Sequence, residues 1–200
     1  MVCPSSVLAH LAKLIVTIGC IKSLGDAYHA KGRIWPFYAY QFLLAHSILG
    51  ILRFGAPFTT STTQLAKYFR SFYDWYARII DVLPLALFTT GILNGYGING
   101  KIRLVMLSLG IIPVLFQFNI SRIKNYQLLI NISATLQLLT ITLIGLQNNN
   151  YYVISLVVSY IFELFFIDEF CYYYDIPSTD LTQYSLCFIE IFMILTLKEL

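Results

Sequence analysis

The stretch from Tyr151 to Tyr174 reads YYVISLVVSYIFELFFIDEFCYYY. It contains about twenty mostly apolar residues, which is the length at which an α-helix crosses the hydrocarbon core of a bilayer. Tyrosines stand at both ends, where amphipathic rings favour the membrane–water interface. The stretch therefore predicts a transmembrane helix, although it carries Glu163 near its midpoint and Asp168 and Glu169 soon afterwards.

An acidic side chain at mid-bilayer costs about 3 kcal/mol on insertion scales, so Glu163 requires a partner or a function. Three other apolar runs also carry an ionisable residue near their centres, namely Lys13, His46 and Glu190. A compact bundle could bring these side chains together, and we expect them to form a buried polar cluster. Secondary polar positions within or beside the apolar runs are His10, Arg53, Asn131, Gln137, Asp168 and Glu169.

The composition of the whole chain also favours a membrane protein. Of its 200 residues, 58% are hydrophobic and 12% are charged, whereas a soluble domain carries about 25% charged residues. So few charges cannot cover a water-facing surface, and we expect residues 1–200 to form one integral membrane domain with the lipid bilayer as partner. The net charge is only +3 and no basic stripe is present, so nucleic-acid binding is not expected.

The chain contains six further apolar runs of about the same length. The last of them has about seventeen residues, the lower limit for crossing a bilayer. The sequence therefore predicts an all-α transmembrane bundle of about seven spans, with six spans and a terminal re-entrant or interfacial helix as the alternative. The six runs are Ser5–Leu24, Trp35–Phe54, Ile79–Ile98, Arg103–Ile120, Tyr126–Leu146 and Leu181–Leu197.

The connection around residues 61–78 has the pattern of an amphipathic helix. Ser61 and Gln64 match a capping box, in which a glutamine side chain reaches back to the N-cap residue. Apolar residues then recur at helical spacing, with Lys67 and Arg70 on other faces. We expect this helix to lie in the headgroup layer, with a recognition element for a partner as the alternative.

Two predicted spans have polar faces that bear on the packing of the helices. In the first span, Ser6, His10, Lys13 and Thr17 fall on one face at steps of three and four residues. In Tyr126–Leu146, polar residues fall on two opposite faces. Because lipid offers such groups no hydrogen-bonding partner, we expect that helix to lie at the centre of the bundle.

The motifs of several membrane enzymes and cofactor sites are missing from the sequence. It contains no HExxH, Gly-x-Ser-x-Gly or Asp-His-His-Cys, and the four cysteines have no zinc-ligand spacing. The histidines at 10, 29 and 46 lie on different elements, and no facing pair that would hold a haem is expected. The sequence predicts neither a metal site nor a cofactor.

Three functions remain as hypotheses. The first is a structural, assembly or binding protein, in which the polar cluster joins the helices and a membrane protein or a lipid is the partner. The second is a small proton- or solute-coupled transporter or channel, with Glu163 and Glu190 as carriers. The third is a lipid-modifying enzyme, with His46 as base and an acid that orients it. We expect the protein to reside in the endoplasmic reticulum or another endomembrane, with the plasma membrane as the alternative.

Overall fold

A computed structural model of the protein describes residues 3–25, 33–55, 63–117 and 126–200. Within these ranges the chain is helical and contains no strand, which confirms the predicted all-α fold. A π-helical turn, Phe162–Phe166, connects α7 to α8. The helices are α1 (Pro4–Leu24), α2 (Ile34–Phe54), α3 (Gln64–Ile80), α4 (Leu83–Gly95), α5 (Gly100–Gln117), α6 (Tyr126–Gln147), α7 (Tyr152–Ile161), α8 (Ile167–Tyr174) and α9 (Ser178–Lys198).

Four of the described helical segments are long and apolar enough to cross a membrane. The most C-terminal of them is α9, which has 21 residues and begins three residues before the predicted start at Leu181. This length exceeds the lower limit for a span that the sequence pattern suggested. The four segments are Pro4–Leu24, Gln64–Gly95, Gln127–Gln147 and Ser178–Lys198.

The helix predicted from residue 79 begins later than expected. The chain breaks its helix after Ile80 and restarts it at Leu83, because Pro84 has no backbone N–H and fits only in the first turn of a helix. Asp81 therefore lies in the turn that ends α3 and not in the first turn of α4.

The start of α3 also differs in detail from the predicted capping box. Thr63 is the N-cap residue, and its side chain accepts a hydrogen bond from the backbone N–H of Ala66 at 3.4 Å. The side-chain amide of Gln64 donates to the hydroxyl of Tyr68, so it does not reach back as predicted. Ser61, the predicted N-cap, lies outside the described residues.

The stretch Tyr151–Tyr174 forms an interrupted helix and not a single regular one. Glu163 lies within the π-helical turn between α7 and α8. A π turn inserts one residue into the α-helical repeat, and such insertions occur often at functional sites. Consequently, residues after Glu163 do not continue the face that the regular spacing of Ser155 and Ser159 predicts.

The core is centred on α4 and not on α6, as the two polar faces of α6 had suggested. Every residue from 84 to 93 in α4 is buried, and α4 packs against α2, α5, α6 and α9. Aromatic and aliphatic side chains from seven helices fill this core, including Tyr40, Leu43, Phe88, Ile92, Ile141, Leu156, Ile189 and Met193.

The prediction that α6 lies at the centre is wrong because its hydroxyl groups do not need another helix. Thr135 and Thr142 donate to the backbone carbonyls of Asn131 and Leu138, each 2.7 Å away and one turn back in α6. This face of α6 is largely exposed. The opposite face is buried, and there Ser133 donates to the carbonyl of Leu109 in α5.

Candidate functional site

A row of buried polar side chains joins α1, α2 and α9, and we call it the polar seam. In α1 the buried polar residues are spaced by three or four, so they lie on one side of the helix. In α9 the polar residues that face them rise in the same order, so the two helices run parallel. The seam consists of Ser6, His10, Lys13 and Thr17 from α1, His46 from α2, and Asp180, Gln183 and Glu190 from α9.

One end of the polar seam is a hydrogen bond between α1 and α9. The hydroxyl of Ser6 donates to Oδ1 of Asp180 at 2.5 Å, and both residues are buried. The hydroxyl of Thr179 also donates to this oxygen, at 3.3 Å. Because the contact joins residues 174 positions apart in the chain, it fixes the start of α9 against the start of α1.

Lys13 occupies the middle of the seam and contacts both neighbouring helices. Its side chain is 0% exposed. The ammonium nitrogen lies 2.8 Å from Nδ1 of His46 and donates to Oε1 of Gln183 at 3.2 Å. An ammonium group can only donate hydrogen bonds, so Nδ1 of His46 is the acceptor and the imidazole proton lies on Nε2.

His10, His46 and Tyr73 pack their rings together beside Lys13. The hydroxyl of Tyr73 lies 3.1 Å from Nε2 of His10, and the ring of Tyr73 stacks on that of His46 with centroids 5.4 Å apart. The rings of His10 and His46 meet edge to face, with centroids 5.4 Å apart. The ring of His10 lies against α2 at Gly50, where a Cβ atom would overlap it. His29 lies outside the described residues.

Glu190 lies seven residues, about two turns, beyond Gln183 in α9. Its side chain is 0% exposed, and within the described part of the chain neither carboxylate oxygen receives a hydrogen bond. Lys13 is the basic group with which it interacts electrostatically. The hydroxyl of Tyr40 donates to the backbone carbonyl of Glu190 at 2.8 Å, which holds α2 to α9 at this depth. A buried charge with so few partners is costly unless Lys13 compensates it.

A polar cavity of about 400 Å³ adjoins the seam between α2, α3 and the first turns of α9. His46 and Gln183 belong to both the seam and the cavity wall. The rest of its polar lining includes Arg53, Asp74, Asp81 and Thr182. Lys13 and Glu190 are fully buried behind this wall. Of the seam residues, only His46 and Gln183 line the cavity.

The structure brings together three of the four residues of the predicted cluster. Lys13 and His46 are in direct contact, and Glu190 lies in the same interior. Glu163 is half-buried and interacts electrostatically with Asp81 and Lys13. None of the other three residues, all within the described ranges, forms a hydrogen bond with it.

The six secondary positions fall in four places. His10 belongs to the seam, and Arg53 is half-buried beside the cavity with its guanidinium 5.4 Å from the centre of the Phe54 ring. Asn131 and Gln137 lie on α6, where Asn131 accepts a hydrogen bond from Gln127 and Gln137 donates to Ser133. Asp168 and Glu169 are exposed on α8, away from the seam.

Asp180, Gln183 and Tyr73 are polar partners that the sequence reasoning missed. The first two, with Glu190, stand three and seven residues apart in α9, which places them on one face. The same test of spacing that identified the polar face of α1 would have found them. Tyr73 had been assigned no role, because aromatic residues are frequent throughout α3.

The enzymatic hypothesis requires an acid that orients His46. The hydrogen-bonding partner of Nδ1 is instead Lys13, and Glu190 interacts electrostatically with Lys13. The contacts of His46 therefore support a role in joining helices more than a role as a catalytic base.

Fold and site together define a class: an all-helical chain with four segments long and apolar enough to cross a membrane and with a polar interior between α1, α2 and α9. Comparisons of the chain with protein-family models, with curated proteins and with solved structures gave no match.

Proposed function

We propose that the chain is a multi-pass membrane protein of the structural or binding type, which works through a membrane-protein partner or a lipid. The bundle has about seven spans, α3 lies in the headgroup layer, and the protein resides in the endoplasmic reticulum or another endomembrane. The polar seam selects one packing of α1, α2 and α9. Labelling of single cysteines placed in each loop, in sealed membrane vesicles, tests the number of spans.

The contacts of Lys13 carry this proposal. A charged side chain that is fully buried and hydrogen-bonded to two other helices is expensive to place in a membrane. Such a group is useful where it specifies a single arrangement, as buried polar residues do in some other proteins. In this role the charge of Lys13 is balanced by Glu190, and both stay in place during function.

The test is a double-mutant cycle on Lys13 and Glu190, read out as the free energy of unfolding in mixed micelles. Lys13→Leu should lower it by about 3–5 kcal/mol, because it leaves Glu190 buried and uncompensated. The double variant, with both residues changed to leucine, should recover most of that loss. Lys22→Leu, at an exposed position on the same helix, is the control and should have little effect. Losses that simply add would contradict the proposal.

A proton- or solute-coupled transporter is the second candidate. It is favoured by the two carboxylate oxygens of Glu190, which lack donors, and by the cavity that reaches His46. In this case Glu190→Gln or Glu163→Gln should abolish flux in proteoliposomes while the protein stays folded and melts at an unchanged temperature. For a structural protein, any loss of function after these substitutions should instead follow the amount of folded protein.

A further inference from the structure

We propose that the cavity between α2, α3 and α9 binds a small zwitterion that carries a phosphate group and an ammonium group. The ligand is either a free solute, such as a phosphoethanolamine, or the headgroup of a lipid with the same chemistry. This inference rests on the proposed binding role and names the ligand class for it.

Donors for the phosphate stand at the α9 side of the cavity. The proton on Nε2 of His46 has no acceptor among the described residues, although the side chain is only 3% exposed. A phosphate oxygen would satisfy this donor, whose position is fixed because Lys13 holds the other ring nitrogen. Since an unsatisfied buried donor is destabilising, the site favours a ligand with an acceptor at this place.

The start of α9 adds further donors for an anion. Ser178, Thr179 and Thr182 all line the cavity, and the helix has no side-chain cap at its N-cap residue, Pro177. The first N–H groups of a helix and its dipole both favour an anion at that end. The hydroxyl of Ser178 can donate to a phosphate oxygen, whereas those of Thr179 and Thr182 already donate to Asp180 and to the backbone carbonyl of Ser178.

Acceptors for the ammonium stand at the α3 side. Asp74 and Asp81 are both exposed and both line the cavity. They lie seven residues apart, Asp74 within α3 and Asp81 in the turn that ends it. A cation between them would be attracted by both carboxylates, while the phosphate is held across the cavity by His46 and α9.

The depth and volume of the cavity also fit a small polar ligand. Its wall runs along α9 from Ser178 to Leu186, which is about 12 Å at the rise of an α-helix. The opening therefore lies near the end of the bundle, within reach of water or lipid headgroups. A volume of about 400 Å³ is within the usual range for small-molecule sites.

The test is titration calorimetry on the full chain in a neutral detergent with O-phosphoethanolamine, inorganic phosphate or ethanolamine. We expect phosphoethanolamine to bind at least ten times more tightly than either fragment and to raise the melting temperature. Equal affinity for phosphate alone would overturn the proposal, and so would the absence of phosphoethanolamine binding. Because the Lys13–Glu190 cycle uses no ligand, a failure here leaves the proposed structural role standing.

Variants locate the ligand in the cavity. Asp81→Asn should weaken phosphoethanolamine binding at least tenfold while binding of phosphate changes little, and Ser178→Ala should weaken both. Asp168→Asn, at an exposed acid on α8 away from the cavity, is the matched control and should bind normally. Unchanged affinity in Asp81→Asn with an unchanged melting temperature would remove α3 from the site and overturn the zwitterion assignment.

Two membrane compositions distinguish the sources of the ligand. Nanodiscs that contain phosphatidylethanolamine should block binding of added phosphoethanolamine if the lipid headgroup is the ligand. If the ligand is a free solute, binding should be the same in these discs as in discs of phosphatidylglycerol. Either result supports the proposed chemistry.

Discussion

Two helices of this protein, α1 and α6, both carry polar side chains within an apolar segment, but the hydrogen-bonding partners of these side chains differ. In α1 the buried side chains of Ser6, His10 and Lys13 find partners on other helices. Thr17 alone among the seam residues of α1 bonds to a carbonyl of its own helix, that of Lys13. In α6 the threonines bond to carbonyls of their own helix, and their face is largely exposed. The reach of the side chain explains the difference.

A threonine hydroxyl is short enough to bond to the carbonyl four residues earlier, so it is satisfied wherever the helix lies. A lysine or histidine cannot do this, and it must find its partner on another helix or in water. A polar face therefore indicates burial in a membrane bundle only when it contains long or ionisable side chains. Substitutions that remove these contacts one by one test the comparison.

The largest effect after that of Lys13→Leu is expected at Gly50, where the seam packs against α2. Gly50→Ala puts a methyl group into the space of the His10 ring, and we expect the free energy of unfolding to fall by about 2 kcal/mol. The matched control is Gly19→Ala on α1, where nothing lies within 4 Å of the new Cβ. There the unfolding free energy should rise by about 0.5–1 kcal/mol, because alanine favours a helix. Equal effects at both positions would show that His10 is not held tightly.

Ser6→Ala should have the next largest effect. It removes a donor from the buried carboxylate of Asp180, and the unfolding free energy in mixed micelles should fall by about 1–2 kcal/mol. Thr179→Ala removes the longer contact to the same oxygen and should cost less. A larger loss in Thr179→Ala would mean that Ser6 does not join α1 to α9.

A smaller effect is expected from Tyr73→Phe. The substitution keeps the ring stack on His46 and removes only the hydroxyl bound to His10. Polar contacts between membrane helices average about 0.6 kcal/mol, and we expect a loss of that size in the unfolding free energy. Tyr68→Phe, at an exposed position on the same helix, provides the control. No difference between the two variants would argue against the His10 contact.

Thr135→Val should have the smallest effect, because it removes a hydroxyl that bonds only within α6. We expect the unfolding free energy to change by less than about 0.5 kcal/mol, as at most surface positions. The measurement is again the free energy of unfolding in mixed micelles. A loss as large as that of Ser6→Ala would show that the exposed face of α6 has a partner, and the comparison with α1 would fail.

Helix positions followed from the sequence because the length of an apolar run limits where a helix can start and end. The bounds of α1 and α2 agree with their predicted spans to within one residue at each end. The turn at Asp81 was missed because a continuous apolar pattern hides it, although Pro84 marks where the helix restarts. The π turn at Glu163 was missed because its hydrogen bonding leaves no mark in the spacing of apolar residues.

The candidate site could be anticipated only in part. Depth along each run indicated that Lys13, His46 and Glu190 would lie at similar levels, because a helix rises by a constant amount per residue. Depth does not determine which face points to which neighbour, so the partners Gln183 and Tyr73 were not identified. The cavity depends on the packing of α3 against α2, and no local pattern encodes that packing.

The partners of Lys13 are separated from it by long intervals in the chain, and this matters during synthesis. The contact with Gln183 joins residues 170 positions apart, which a ribosome covers in roughly 10–30 s at ordinary elongation rates. Throughout that time α1 stays in or near the translocon, and the charge of Lys13 lacks its counterion Glu190, because α9 has not yet been made. A nascent chain that stalls before α9 would display this charge to quality-control factors, which could thereby recognise it as unfinished.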